Sequence, residues 1–417
     1  MTFVFHPISG PAVGLALLVR CGSVWETLPR LGISHFLEHM LFRGVPKYPS
    51  ITALGLALDD VGAESNAATY SDMTILSMKT LPETLESGLS LLYSMATEPV
   101  LEGLTAEKKI ILEECMEDTD EDGQVVAIDQ LSSQLLYGNH VYSYPILGTP
   151  QTVEHIDRRA LREHLKKHYK PSGVVLAIAG DISLAKARKF VQRVFGSWND
   201  PDDSIQDDQI LPVPPFRGPR VLRVVSARSQ VSVRISFRAL NFCDPDYYVE
   251  KTILRILDAT SGSPLRRALQ DENGFCYSLS AGVDAYEHAG AVHVDLNLQP
   301  DRLIKGIGEV LRIFSLLARK GFTKEETERS TAQYVKGKRL SSTDPWDFSG
   351  RVAFRALFPT PLSFEQEFAA TQNLIAEDLN RVAARLFRTE NLGITLVGPV
   401  SDRLLRDLRA LMRTFSE

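Results

Sequence analysis

The sequence has few cysteines, no surplus of positive charge and no long apolar run, and each absence argues against a class of protein. Its four cysteines lie far apart without a Cys-X-X-Cys pair, so neither a disulfide framework nor a thiolate zinc site is indicated. The formal net charge of -6 gives no basic surface for nucleic acid. We therefore expect a reducing compartment and no nucleic-acid partner.

The most apolar early stretch, residues 11–19, is too short to cross a bilayer. It also lacks the basic region and the cleavage site that flank the apolar part of a signal peptide. This stretch predicts a buried β-strand. No other run approaches the length of a membrane span, so we expect no membrane partner and a cytoplasmic location.

A length of 417 residues exceeds what one hydrophobic core usually supports, which predicts two domains. The clearest break in composition is residues 199–220, where acidic residues are followed by several prolines. Such a segment cannot form a packed element and is typical of an exposed linker. We predict an N-terminal domain over 1–198, a linker over 199–220 and a C-terminal domain over 221–417.

The two halves end alike, which indicates an internal repeat. A β-rich run ends at Gly180 and another ends at Gly398, 218 residues later, and a helical pattern follows each. Strand-like runs occur both in succession and between long amphipathic helices. We predict an α+β fold made of two homologous α/β modules, each a mostly antiparallel sheet packed with helices.

Residues 31–42, LGISHFLEHMLF, form a helical pattern that contains His-X-X-Glu-His. Positions three and four apart share one face of a helix, so His35, Glu38 and His39 project into one site. The pattern is the inverted counterpart of a metalloprotease motif. Since a catalytic zinc site uses three protein ligands, the two histidines leave one ligand to be found.

Further segments accompany this motif. They are GSVWE at 22–26, GISHFLEHMLFRG at 32–44, KYP at 47–49, ESNAAT at 64–69, IILEE at 110–114, PILGTP at 145–150, HY at 168–169, AGD at 179–181 and GFCYS at 274–278. With them the chain resembles the pitrilysin and insulinase family of zinc metallopeptidases, in its branch similar to the mitochondrial processing peptidase. The resemblance covers nearly the whole chain.

The resemblance implies roles for individual residues. The third zinc ligand matches Glu114, and Glu107 matches a second carboxylate behind the metal site, whereas the neighbouring Glu113 is expected to be solvated. Seven residues are nearly two helical turns, so Glu107 and Glu114 share a face. Glu38 is expected to activate the attacking water. The family also implies that Asn66 and Ala67 bind the peptide as an added strand.

The chain departs from the family pattern in its second half. Family members commonly carry an Arg and a Tyr seven residues apart that bind substrate near the metal. Tyr277 matches the Tyr, but Gln270 stands at the place of the Arg, with Arg266 and Arg267 one turn earlier. Two alternatives remain open: Gln270 donates neutral hydrogen bonds, or a partner subunit supplies the missing charge.

The resemblance implies a zinc-dependent endopeptidase, with one Zn²⁺ per chain and with catalytic roles for Glu38, Glu107 and Tyr277. The family works in a closed chamber of four modules, so a chain with two modules implies a homodimer or a heterodimer with a related subunit. Peptides or precursor segments are the expected substrates. The alternatives are a zinc-binding subunit that needs a partner, a non-catalytic scaffold subunit and a small-molecule metallohydrolase.

Overall fold

A computed structural model describes residues 1–199, 210–260, 262–341 and 343–416. The strands are β1 Thr2–Pro7, β2 Val13–Val19, β3 Glu64–Thr69, β4 Thr74–Thr80, β5 Val174–Gly180, β6 Arg220–Val225, β7 Val231–Arg238, β8 Leu279–Ala285, β9 Gly290–Leu298 and β10 Leu392–Gly398. The helices are α1 Ile33–Leu41, α2 Ile51–Val61, α3 Leu85–Thr97, α4 Leu104–Glu117, α5 Ile128–Tyr137, α6 Pro150–His155, α7 Arg158–His168, α8 Leu184–Phe195, α9 Tyr247–Asp258, α10 Pro264–Arg266, α11 Leu303–Lys320, α12 Lys324–Ser341, α13 Pro345–Leu357, α14 Phe364–Gln372, α15 Ala376–Leu386 and α16 Asp402–Arg413.

The strands form two five-stranded sheets of the same topology. The order is β1-β5-β2-β4-β3 in one sheet and β6-β10-β7-β9-β8 in the other. In each sheet the first pair is parallel and the other three pairs are antiparallel. The predicted α+β class, with two mostly antiparallel sheets packed with helices, is confirmed.

The internal repeat extends to the helices. Each module begins with two strands, then has two helices, two strands, five helices, a strand and a final helix. Gly180 and Gly398 are the last residues of the equivalent strands β5 and β10. The two glycines therefore correspond in structure as well as in sequence.

The first sheet has apolar residues on both faces. Every residue of β2 and β5 is buried, and the predicted strand over 11–19 corresponds to β2. One face packs on a large core shared with α1, α3 and α8. The other face presents Ala16, Leu18, Val175 and Ala177 to Ala353 of α13. Burial on both sides explains why these strands read as continuous apolar runs rather than as alternating patterns.

The second sheet is covered in the same way. Its main core is shared with α9, α11, α15 and α16. On the opposite face, Leu131 of α5 packs with Val126, Val224 and Val397. The Ser132 and Ser236 hydroxyl groups also lie 2.9 Å apart there. Each sheet thus uses one helix that comes from the other half of the chain.

This exchange determines how the chain divides into compact units. One unit contains residues 1–117, 144–210 and 338–359, and the other contains 118–143, 211–337 and 360–417. Residues 200–209 of the predicted linker lie outside the described residues, and 210–219 form no helix or strand. The limits at 198 and 221 stay a prediction, because these units report packing and not the extent of each repeat.

Two observations bear on the environment of the chain. The four cysteines, all in the described part of the chain, form no disulfide, and three of them are buried. None of the helices in the described part of the chain is long and apolar enough to span a bilayer.

Glu250 of α9 is a carboxylate buried in the second unit. Its side chain is fully enclosed, with 0% exposure, and one oxygen accepts the Leu240 N–H at 3.0 Å. The other oxygen has no hydrogen-bond partner among the described residues. Burial raises the pKa of Glu250 from 4.5 to about 8. The folded state therefore favours the protonated form of this group.

The substitution Glu250→Gln should flatten the pH dependence of stability. A raised folded pKa contributes stability that is present below about pH 4.5 and is lost as the pH rises through about 8. We expect the melting temperature of the variant, minus that of the wild type, to increase between pH 5 and pH 9, measured by calorimetry. Glu390→Gln, at an exposed residue, is the control. A difference in melting temperature that stays constant between pH 5 and pH 9 would contradict the raised pKa of Glu250.

Candidate metal centre

Helix α1 carries the polar triplet of the motif on one face and an apolar face opposite to it. Phe36, Leu37, Met40 and Leu41 are fully buried in the first core. His35, Glu38 and His39 are only partly buried. The 3.6-residue period that buries the apolar residues thus directs the three polar side chains to a common site.

Helix α4 brings two carboxylates to the same place. The Glu114 Oε2 atom lies 3.8 Å from His35 Nε2 and 3.7 Å from His39 Nε2. The two Nε2 atoms are 3.2 Å apart. Glu113 is exposed, as expected for a solvated neighbour. His35, His39 and Glu114 form the one cluster of possible metal ligands found among the described residues.

These distances fit a small tetrahedral metal ion. Zinc binds nitrogen and carboxylate oxygen at about 2.0–2.2 Å, so the ligand atoms of a tetrahedral site lie about 3.4 Å from one another. The three separations here are 3.2, 3.7 and 3.8 Å. Two imidazoles and one carboxylate are also a ligand set that zinc accepts while one position stays open for water.

The imidazoles of the cluster are suited to bind a metal as neutral ligands. Burial lowers the pKa of His35 from 6.5 to about 4, and the neighbouring His39 acts in the same direction. His39 Nδ1 lies 2.9 Å from Glu107 Oε1. When His39 is neutral, a proton on Nδ1 faces this carboxylate and leaves the lone pair on Nε2 for a metal.

Glu107 is itself held by a residue that the sequence did not indicate. The Arg43 guanidinium donates to Glu107 Oε2 at 3.0 Å, and both side chains are largely buried. The ion pair fixes the carboxylate that orients His39. Arg43 lies two residues after the end of α1, and no sequence pattern links it to Glu107 on α4. Only the packing of the two segments identifies this ion pair.

Glu38 points to the same site and is oriented by the end of strand β3. The Thr69 hydroxyl donates to Glu38 Oε2 at 2.6 Å. Burial raises the pKa of Glu38, and the bond from Thr69 acts against that rise. The Thr69 backbone also bonds to this carboxylate and acts against the rise in its pKa. A carboxylate oriented in this way can accept a proton from a water molecule.

Asn66 and Ala67 lie on β3, which is an edge strand of the first sheet. Its only partner strand among the described residues is β4. The Asn66 carbonyl accepts a hydrogen bond from the Ser77 hydroxyl at 3.3 Å on that side. The other edge of β3 can therefore pair with an added strand.

Gln270 and Tyr277 lie in the second unit and contact each other. The Gln270 side chain donates to the Tyr277 carbonyl at 2.6 Å, and the Tyr277 side chain is 99% exposed. Gln270 belongs to a π-helical segment, Arg267–Glu272. Arg266 is 2.7 Å from Asp258, and Arg267 is 3.3 Å from Glu272, so both arginines are paired locally.

Comparison with known proteins identifies the family of the chain. A family model described as Insulinase (Peptidase family M16) matches residues 5–149, and one described as Peptidase M16 inactive domain matches residues 155–334. The chain belongs to peptidase family M16. The predicted family is therefore confirmed.

Relatives of this M16 family member match over most of their length. The chain is 27% identical to the uncharacterized zinc protease YmxG of Bacillus subtilis, over 93% of each chain. It is 23% identical to the mitochondrial-processing peptidase subunit beta of Dictyostelium discoideum, over 94% of this chain and 86% of the relative. An M16 inactive domain structure from Pseudomonas fluorescens superposes with a TM-score of 0.87 at 20% identity, covering 96% of both chains.

We predict that Glu107→Gln weakens zinc binding by this M16 family member. The variant keeps the size of the side chain but loses the charge that pairs with Arg43 and orients His39. Loss of such a partner typically lowers metal affinity by about 10- to 100-fold. A competition titration with a chromogenic chelator measures the effect, with Glu113→Gln on the exposed side of α4 as the control. Equal affinities in both variants would contradict the role of Glu107.

Proposed function

We propose that the chain is a zinc-dependent endopeptidase in which His35, His39 and Glu114 hold the metal and Glu38 is the general base. The observation that supports this proposal best is the convergence of α1 and α4. Two imidazole nitrogens and one carboxylate oxygen meet with separations of 3.2 to 3.8 Å. The Glu38 carboxylate lies beside them and is not a ligand. Relatives named zinc proteases support the choice of zinc.

When bound, zinc would supply Lewis acidity that polarises a peptide carbonyl and lowers the pKa of a water molecule. Glu38, oriented by Thr69, would accept the proton of the attacking water. The protonated carboxyl group would then return this proton to the leaving amine. Glu107 has a supporting catalytic role in this proposal, because it orients His39.

The proposed substrates are peptides or precursor segments. An extended chain that pairs with the open edge of β3 would run past Asn66 and Ala67 toward Thr69, whose hydroxyl contacts Glu38. Main-chain hydrogen bonds along this edge would position a scissile bond with little dependence on sequence. This arrangement favours a peptidase over a small-molecule hydrolase, for which a strand-binding edge has no use.

We propose that the chain acts in the cytoplasm as a homodimer, or as a heterodimer with a related chain, that forms a closed chamber. The two modules and the relative named as a subunit support an assembly. Four cysteines without a disulfide support a reducing compartment. In this assembly Gln270 and Tyr277 are the proposed contributions of the second module to substrate binding.

A second candidate function is a zinc-binding subunit that needs a partner for activity. Gln270 replaces the charged donor expected there, and its amide is already bonded to the Tyr277 carbonyl. The matching model for this half is also described as inactive. A non-catalytic scaffold subunit is less favoured, because such a subunit would not need the four metal-site residues.

Metal content and cleavage by the purified chain test the proposal together. We expect about one zinc per chain by mass spectrometry, and cleavage of a mixed quenched peptide library that a chelator abolishes and zinc restores. Zinc without cleavage would favour the subunit that needs a partner. Cleavage that persists after complete removal of metal would refute the metallopeptidase.

The substitution Glu38→Gln should abolish peptide cleavage and leave zinc bound, because it removes the base without removing a ligand. We expect a loss of kcat of at least about 100-fold, within the range for general base catalysis. Glu113→Gln serves as the control for a carboxylate outside the site. Retained activity in Glu38→Gln would show that another group accepts the proton.

A further inference from the structure

The N-terminal end of the metal helix α1 has no cap of its own. Gly32 occupies the N-cap position and has no side chain, and the first N–H groups of any α-helix lack partners within the helix. Ile33 and Ser34, which begin the helix, are buried. Since buried N–H groups require hydrogen-bond acceptors, another part of the chain has to provide them.

The Glu26 carboxyl group provides acceptors for two of these N–H groups. Its Oε2 atom accepts the Gly32 N–H at 2.7 Å, and its Oε1 atom accepts the Ser34 N–H at 2.8 Å. The residue is 8% exposed and forms no ion pair with any described residue. Burial raises the pKa of Glu26 to about 8, while the two N–H bonds act against this rise. When Glu26 is ionised, the carboxylate also interacts favourably with the dipole of α1.

The loop before α6 holds the same end of α1 from another side. Gly32 and Gly148 both have positive φ, at 85° and 78°, and their backbones lie against each other. A Cβ atom on either glycine would overlap a carbonyl oxygen, of Leu147 or of Leu31. The Thr152 hydroxyl also donates to the Leu31 carbonyl at 2.8 Å. The contact between Gly148 and Gly32 gives the PILGTP segment at 145–150 a structural role, although the segment contributes no metal ligand.

Ser34 connects this end of the helix to the core of the first unit. Its N–H group donates to Glu26, and its hydroxyl lies 3.0 Å from His164 Nε2 on α7. Both side chains are buried. His35 is the next residue, so its backbone starts from a position that is held by Glu26 on one side and by α7 on the other.

We propose that Glu26 is a positioning residue for metal binding, which sets the location of His35 by holding the N–H groups of Gly32 and Ser34. The inference rests on the proposed function only in taking zinc as the metal. A ligand atom has to lie within about 0.2 Å of its ideal distance to contribute fully. Release of the first turn of α1 would therefore displace His35 before it affects Glu114, which lies on another helix.

The substitution Glu26→Gln in the full chain tests this role. The Gln side chain keeps the size but has one carbonyl oxygen and one amide group, so one of the two N–H groups faces a donor. We expect zinc affinity to fall by about 10-fold or more, as for other partners outside the ligand set. We also expect faster hydrogen exchange in peptides that cover residues 32–42. Glu163→Gln, at an exposed residue that pairs with Arg30, is the matched control.

Two further measurements separate positioning from general stability. Exchange in β2 and β5 should stay at the wild-type rate, because these strands lose no contact. Glu26→Asp, which retains a carboxylate on a shorter side chain, should restore part of the zinc affinity. Wild-type affinity in Glu26→Gln would overturn the inference, as would faster exchange without loss of affinity. Slowed or lost folding of the whole unit, seen as fast exchange in β2 as well, would also count against it.

The outcome can be told apart from that of the proposed function. A wild-type chain that binds zinc but cleaves no peptide would refute the endopeptidase and leave the affinity comparison intact, so a fall in Glu26→Gln would still support the inference. A wild-type chain that binds no zinc would overturn both proposals.

Discussion

The contact between α1 and α4 is the constraint on which the candidate site depends. His35 and His39 belong to one helix, Glu107 and Glu114 to the other, and no single element could supply all four groups. The ion pair of Arg43, which lies just after α1, with Glu107 of α4 adds to the same contact. The apolar face of α1 packs into the first core, so the sheet below determines where the helix lies and hence where its imidazoles meet α4.

Periodicity made part of this site predictable from sequence. A spacing of four placed His35 and His39 on one face, and a spacing of seven did the same for Glu107 and Glu114. The assignment of Glu114 as the partner of the histidine pair came from the family resemblance. Its separation of 75 residues from His39 carries no local pattern.

Residues that act across tertiary contacts could not be predicted. Thr69, Arg43 and Glu26 each bond to a group on another element, and their own neighbours in sequence give no sign of it. The same limit applies to the fold. Equivalent glycines at the ends of β5 and β10 indicated the repeat, but nothing in the sequence of α5 or α13 shows that each packs on the sheet of the other module.

The two modules differ at the helix that carries the candidate metal site. Helix α9 corresponds to α1 in the order of elements but contains no histidine. Helix α9 does carry a buried carboxylate, Glu250, which accepts the Leu240 N–H. No cluster of possible metal ligands was found around it among the described residues. Fold and metal chemistry are therefore separable in this architecture.

The exchange of α5 and α13 has a consequence for synthesis on the ribosome. Helices α5 and α13 hold the same place in the order of elements, and each packs on the sheet of the other module. The first sheet is translated by residue 180, but the helix that covers its second face ends at Leu357. Until that helix emerges, the apolar surface of Ala16, Leu18, Val175 and Ala177 stays bare, and a nascent chain has to be protected from aggregation over this interval.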